Sequence, residues 1–315
     1  MPLLFRLGTV TVSQEAAEAL AANRTDPTVL LVRHQQGDWG EVPTYLHQAN
    51  EQAREQQHTL LSLYPLADGT LILVVTNAQR SETQVLLTWE YPVEEVSTQE
   101  GYAIWAACYD SQSNPLIAIE EPRVAALLAP LVITTALDVG TGTGRHALSL
   151  AQRGITVSAV DQSPEMLAVA QRRAQAEGLT IDFRLTSLTD GLPFADAHFD
   201  LVINALMLCH LPDIPSAIHE CARVVRPGGF LLISDLHPEC GGRTELFIAG
   251  RRYFLPNPPH TRDEYLAALT TVGLIVRHVL DIPMREVPTG YLPERLRREH
   301  GDTPLGLILL AERPA

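Results

Sequence analysis

The sequence predicts an α/β domain on a mostly parallel sheet, preceded by a small α+β unit. Three observations predict it. From residue 102 onward, strand-like apolar runs alternate with helix-like amphipathic stretches, the βαβ pattern of a parallel sheet. Inside that pattern Gly140, Gly142 and Gly144 occupy every second position between an apolar run and a helix-like segment. That spacing marks a strand–turn–helix junction whose side-chain-free backbone lies close to something. The next apolar run, Thr156–Val160, ends in the carboxylate of Asp161. The expected organisation is residues 1–92 as the small unit, 93–101 as a polar linker and 102–315 as the larger domain.

In the small unit Leu3–Val12 reads as a strand, and Ser13 as the N-cap of a helix running to about Ala22. Ala16 stands where a capping box needs an acid, while Glu15 suits the positive end of the helix dipole. A second helix is expected from Tyr45 to Gln57. Thr59–Tyr64, Thr70–Thr76 and Thr83–Thr88 follow as short strands of an antiparallel sheet, with Asp68–Gly69 as a hairpin turn. Arg33–Gly40 gathers Arg, His, Asp and Trp. It reads either as a recognition surface or as a loop whose charges pair while Trp39 packs on the sheet. With Asp68–Gly69 and Asn77–Ser81, the unit resembles a small uncharacterised domain of plasmid- and phage-associated bacterial proteins. That resemblance implies no chemistry.

In the larger domain strands are expected at 134–140, 156–161, 180–184, 199–204, 230–235, 275–282 and 306–311. Helices are expected at about 143–153, 163–177, 213–225 and 262–272. Ser163 and Pro164 are N-cap and N1 of the second of these. Ile214, Ala217, Ile218 and Cys221 fall on one face of the third, which therefore lies on the sheet.

The glycines are spaced G-x-G-x-G, not the G-x-G-x-x-G of pyrophosphate binders. Leu192–Asp200 leads into the strand Leu201–Asn204, and Arg226–Gly229 leads into Phe230–Asp235. At these segments, from about Tyr102 to the C-terminus, the chain resembles the class I S-adenosylmethionine (SAM)-dependent methyltransferases. The resemblance implies a Rossmann-like seven-stranded sheet with helices on both faces, SAM as cofactor and no metal. It implies that Gly140, Gly142 and Gly144 form the cofactor loop and that Asp161 holds the ribose, with Gln162 and Met166 near the adenine. Asp138 either orders the loop or reaches the amino-acid group. Ser187 or Leu188 stands where the family often has an acid for the adenine amino group; Asp190 or backbone amides are the alternatives. Asn204 and Ala205 line the cofactor, and Tyr109 belongs to an N-terminal lid or to a helix packed on the sheet edge.

Methyl transfer needs alignment and at most the removal of one proton. His237, after the fifth strand, is the candidate general base, with His210 a second imidazole positioned to orient a loop. Arg243, Arg251, Arg252 and Tyr253 lie in an insert from Glu239 to Thr261 and read either as a carboxylate-holding cover or as surface charge. Asn257–Pro–Pro–His260 is similar to the signature of adenine N6-methyltransferases. It lies some fifty residues beyond the fourth strand in an unpermuted chain, so a plain loop is expected.

All 23 basic residues are arginine, which excludes lysine Schiff-base chemistry and a Walker lysine. A formal charge of −14 argues against a nucleic-acid partner held by phosphate contacts. Four scattered cysteines read as free thiols. No apolar run approaches the ~18 residues of a membrane span and no signal peptide is evident, so a soluble cytoplasmic protein is expected. The expected activity is methyl transfer to O, N or C of a small molecule. The alternatives are a nucleic-acid or protein methyltransferase that uses the N-terminal unit as reader, and a non-enzymatic SAM-fold sensor or scaffold.

Overall fold

The structure, a computed structural model, describes residues 2–42, 44–111, 114–241, 244–248 and 250–315. In the N-terminal unit β1 (Thr9–Val12) leads to α1 (Gln14–Ala22), whose first turn is capped by the Ser13 hydroxyl accepting from the Ala16 N–H. Then comes α2 (Pro27–Gln35), a helix not foreseen, although Asp26 as N-cap and Pro27 at N1 are standard start signals. After α3 (Thr44–Gln56), β2 (Leu60–Pro65), β3 (Leu71–Thr76) and β4 (Glu82–Leu87) form an antiparallel meander, with the Asp68–Gly69 turn between the first two. β1 joins parallel to β4, so the sheet is mixed rather than antiparallel. Residues 3–8 stay outside it.

Period-two alternation sends Ile72 and Val74 to one face, with Leu20, Leu30 and Tyr64, and Leu73 and Val75 to the other, with Trp39 and Leu60. Trp39 is buried, and Arg33 pairs with Asp38 at 2.7 Å. The loop reading of Arg33–Gly40, with its charges paired and Trp39 packed on the sheet, fits the structure, although Arg33–Gln35 belong to α2.

His34 is fully buried between Ser62 Oγ (2.5 Å) and Thr76 Oγ1 (2.9 Å). Burial, helped by the Arg80 charge, lowers its pKa to about 3. The unfolded chain, with an ordinary histidine near 6.5, then binds the proton that the folded chain refuses. Stability from this group is complete above pH ~6.5 and is lost as pH falls toward 3. We expect about 2 kcal/mol less stability at pH 5 than at pH 7, with the slope flattened in His34→Gln, as measured by urea unfolding across that range.

The linker stretch is structured. Val93–Glu95 forms β5, and Ser97 with Glu100 makes a capping box at the start of α4 (Thr98–Trp105). α5 (Pro115–Leu128) follows. The larger domain continues as β6 (Thr135–Val139), α6 (Arg145–Gln152), β7 (Thr156–Asp161), α7 (Pro164–Ala176), β8 (Ile181–Leu185), β9 (Phe199–Ala205), α8 (Ile214–Val224) and β10 (Val225–Leu236). An insert hairpin, β11 (Thr244–Ile248) and β12 (Arg251–Leu255), precedes α9 (Arg262–Thr271), β13 (Ile275–Pro283), α10 (Glu294–His300) and β14 (Pro304–Glu312).

The seven-stranded sheet runs β13-β14-β10-β9-β6-β7-β8, with only β14 antiparallel to its neighbours. Each expected strand and helix of this domain lies within a few residues of its observed place. β6 and β9 sit side by side where the strand order reverses, and a ligand crevice opens at the carboxyl ends of strands at such a point. Two apolar layers flank the sheet: Leu137, Val139, Val202 and Ile233 face α8 and α9, while Ala136, Leu201, Ile203 and Leu232 face α5 and α6.

β12 pairs in parallel with β5, tying the insert to the chain between the two units. Phe247 enters the small unit's core beside Trp39 and Leu60 and stacks on Tyr91 at 5.6 Å. On its other side the hairpin packs on α4, where a Cβ on Gly101 would meet Leu255 Cγ at 2.5 Å. Among the described residues no helix is long and apolar enough to cross a membrane. None of the four cysteines is joined in a disulfide.

Candidate functional site

A cleft opens at the carboxyl ends of β6, β7 and β9. Its floor is the glycine turn. Gly140, Gly142 and Gly144 have φ of +73°, +56° and +85°, conformations that disfavour a side chain. Their roles differ. A Cβ on Gly142 would meet nothing within 4 Å, so this residue faces open cleft. A Cβ on Gly140 would meet Met207 Cγ at 2.9 Å. Gly144 is outside the cleft wall: a Cβ there would press on Leu148 at 2.5 Å and Ala170 at 3.1 Å, so it permits α7 to pack on α6.

Asp161 latches this floor. One carboxylate oxygen accepts from the Gly142 N–H (2.7 Å), the other from the Ser163 N–H at the start of α7 (2.8 Å). Burial raises its pKa against the pull of those amides. Asp138, also pushed up by burial, accepts from Thr141 Oγ1 (2.7 Å) and the Ala147 N–H (3.0 Å). It orders the loop while lining the cleft. Gln162, Met166, Ser187, Leu188 and Ala205 complete the walls named in advance. Asn204 is outside them: its fully buried amide donates to Val139 O (3.1 Å). Asp190 is exposed and also outside.

The roof is aromatic. Tyr102 and Tyr109 line the cleft, and Trp105 supports Tyr109 at 4.7 Å, ring centroid to centroid. Asp110 fastens this roof to the glycine turn by accepting from Thr143 Oγ1 (2.7 Å) and pairing with Arg173 (3.1 Å). Leu206, in the wall, holds φ +57°, a strained value for a leucine.

His237 is not at this cleft. Its Nδ1 accepts the Glu239 N–H (3.1 Å), so its Nε2 carries the proton shared with Asp281 (3.1 Å). With both nitrogens committed and the side chain 1% exposed, it caps the turn after β10 and is not free to act as a base. Two imidazoles line the cleft, His146, whose Nε2 is engaged by Glu120 (2.8 Å), and His210. Pro256 O can only accept, so His210 Nδ1 donates to it (3.0 Å). The bare Nε2 then accepts from the Tyr102 hydroxyl (3.0 Å). Burial lowers the His210 pKa and raises that of Tyr102 well above 10, which keeps both neutral.

The insert arginines are otherwise engaged. Arg251 pairs with Glu94; Arg252 pairs with Glu245 and donates to Thr88 O; Tyr253 is buried. Arg243 lies outside the described residues. Asn257–His260 is a loop, as expected.

Residues 137–233 match the family model described as a methyltransferase domain. Over 158 residues the chain is 36% identical to the ubiquinone biosynthesis O-methyltransferase of Thiobacillus denitrificans, covering 50% of this chain and 68% of that protein. The chain belongs to the SAM-dependent methyltransferases. It is also 34% identical over 173 residues to an uncharacterized protein of Mycobacterium tuberculosis, covering 50% of this chain but only 62% of that relative's length. Among solved structures the [4+2]-cyclase SpnF aligns with a TM-score of 0.52 at 21% identity, covering 71% of this chain and 98% of that one. The DhpI–SAH complex aligns at 0.50 and 23%, covering 69% and 95%. Both share the fold.

The methyltransferase cleft suits the family's cofactor. SAM is a sulfonium cation on a nucleoside, and this cleft offers the buried carboxylate of Asp138, the half-buried one of Asp161, aromatic faces and a glycine floor open at Gly142. Among the described residues no group of His, Cys, Asp and Glu is arranged to hold a metal ion.

Proposed function

We propose that the protein moves a methyl group from SAM to a nucleophile of a small molecule, with oxygen the favoured acceptor atom. The observation that carries this reading is the neutral Tyr102–His210 pair facing the same cleft as the Asp161-latched glycine turn. O-methyltransferase relatives support the oxygen acceptor.

When bound, SAM supplies an activated methyl on sulfur. The chain's own residues do the rest. Asp161 has lone pairs left on both oxygens for the ribose hydroxyls. Met166 and Leu188 give the adenine an apolar slot, and Ser187 supplies main-chain groups. Gly140 and Gly142 let the methionine portion lie on bare backbone, with Asp138 holding the turn. Tyr102 and Tyr109, in the roof of the cleft, would face the positive sulfur and exclude water. An acceptor hydroxyl donates to the Tyr102 oxygen as Tyr102 passes its proton to His210 Nε2. The resulting imidazolium is held by Pro256 O.

Tritiated-methyl transfer to a small-molecule extract, compared with DNA, RNA and protein, tests the acceptor class; labelling only of macromolecules overturns it. His210→Ala and Tyr102→Phe are expected to lower kcat by roughly 10²–10³, with affinity for S-adenosylhomocysteine (SAH) within threefold by calorimetry, roughly the scatter of a neutral contact. Undiminished kcat in both variants removes the pair from the mechanism.

A further inference from the structure

A second cavity lies behind the turn that carries His210. It holds about 280 Å³, bounded by Cys209, His237, Gly241, Asn257, His260 and Tyr265 with Leu236 and three prolines. Among the described residues no Arg, Asp or Glu lines it, so none of them compensates a charged ligand. Its polar walls are almost all satisfied internally. Tyr265 donates to Asp235 (2.9 Å), His260 Nε2 donates to Leu211 O (2.7 Å), and His237 is committed at both nitrogens. Asn257 is the exception. Its Oδ1 accepts the Thr244 N–H (2.9 Å), while its buried Nδ2 has no partner among the described residues. A buried donor left unpaired is costly and awaits an acceptor.

We propose that this cavity binds an uncharged ring compound bearing a carbonyl or phenolic oxygen, with that oxygen accepting from Asn257 Nδ2. The prolines and Tyr265 give flat apolar faces for the ring. The space, roughly nine waters at about 30 Å³ each, suits a single substituted ring. Its occupant also touches the catalytic pair indirectly. Asn257 directly follows Pro256, whose carbonyl holds His210 Nδ1. The ligand is either the ring of the methyl acceptor or a separate effector of the same chemistry. The binding claim does not depend on methyl transfer.

The test is a titration of the full chain with acetophenone, phenol, benzene and benzoate, following the Asn257 side-chain amide by ¹⁵N NMR. Acetophenone and phenol are expected to give saturable millimolar shifts at Asn257, benzene weaker binding and benzoate none. Asn257→Asp keeps the oxygen that accepts from Thr244 and removes the donor; followed instead at the backbone amides of His260 and Tyr265, it should weaken acetophenone at least about tenfold. Should that variant misfold, Leu236→Trp fills the cavity and should abolish the shifts. No saturable shift, or equal binding of benzoate, overturns the proposal. Where methyl transfer is measurable, competition between acetophenone and the acceptor places the acceptor's ring here, and an altered kcat without competition places an effector here. Either result supports the site. SAH binding measured in the same samples separates failure of this cavity from failure of the cofactor cleft.

Discussion

Asp161→Ala is expected to weaken SAH binding by 10² or more. A carboxylate accepting from two ribose hydroxyls forms two charge-assisted hydrogen bonds of about 1.5–3 kcal/mol each, and the same oxygens latch Gly142 and α7. On the proposed reading, losing them would remove the ribose contact and free the floor of the cleft. Asp161→Asn keeps one acceptor and should fall between. Titration calorimetry with SAH checks both, with circular dichroism showing the variants folded. Unchanged affinity would sink the cofactor assignment, because the remaining walls offer no equivalent acceptor at that strand end.

The largest expected loss of stability is at Glu120. This carboxylate on α5 is 1% exposed and meets His146 Nε2 (2.8 Å), Ser234 Oγ (2.8 Å) and Arg145 (2.9 Å). Burial pushes its pKa up, but His146, Arg145 and Ser234 together outweigh burial and hold it at about 2. Because the folded value lies below the unfolded one, the stabilisation is present above pH ~4.5 and is lost as pH falls toward 2, a span worth about 3 kcal/mol. Glu120→Ala leaves Arg145, among the described residues, with only the half-exposed Glu121 as ion-pair partner and should cost about 3–5 kcal/mol. That is a fall in Tm of about 10 °C for a domain of this size, readable by scanning calorimetry at pH 7. Arg145 also lines the cleft, so SAH affinity should fall with it. A shift of less than about 2 °C, under 1 kcal/mol, would mean that the network is not holding α5 to α6.

What could be read in advance follows from where the information lies. Buried parallel strands are continuous apolar runs between glycines, prolines and helix caps, so β6, β7, β9 and β10 were legible from local sequence alone. The place of Asp161 at the cleft was legible because it depends on one strand and one turn. His210 and His237 were not separable that way. Their tautomers are fixed by Pro256, Tyr102, Glu239 and Asp281, most of them distant in the chain. Gly144 shares the spacing of its neighbours, and only the crossing of α6 and α7 shows that it serves packing. β5 was invisible as a strand because three polar-flanked residues acquire a partner some 160 positions later.

That pairing changes what the first 92 residues are to the rest of the molecule. They are no appendage on a tether. They brace the hairpin through the Phe247 contacts, β5 just beyond them adds a strand to it, and the hairpin packs on the helix that carries Tyr102. Without this front segment Phe247 would lose Trp39, Leu60 and Tyr91 as packing partners, and the roof of the cleft would lose its buttress.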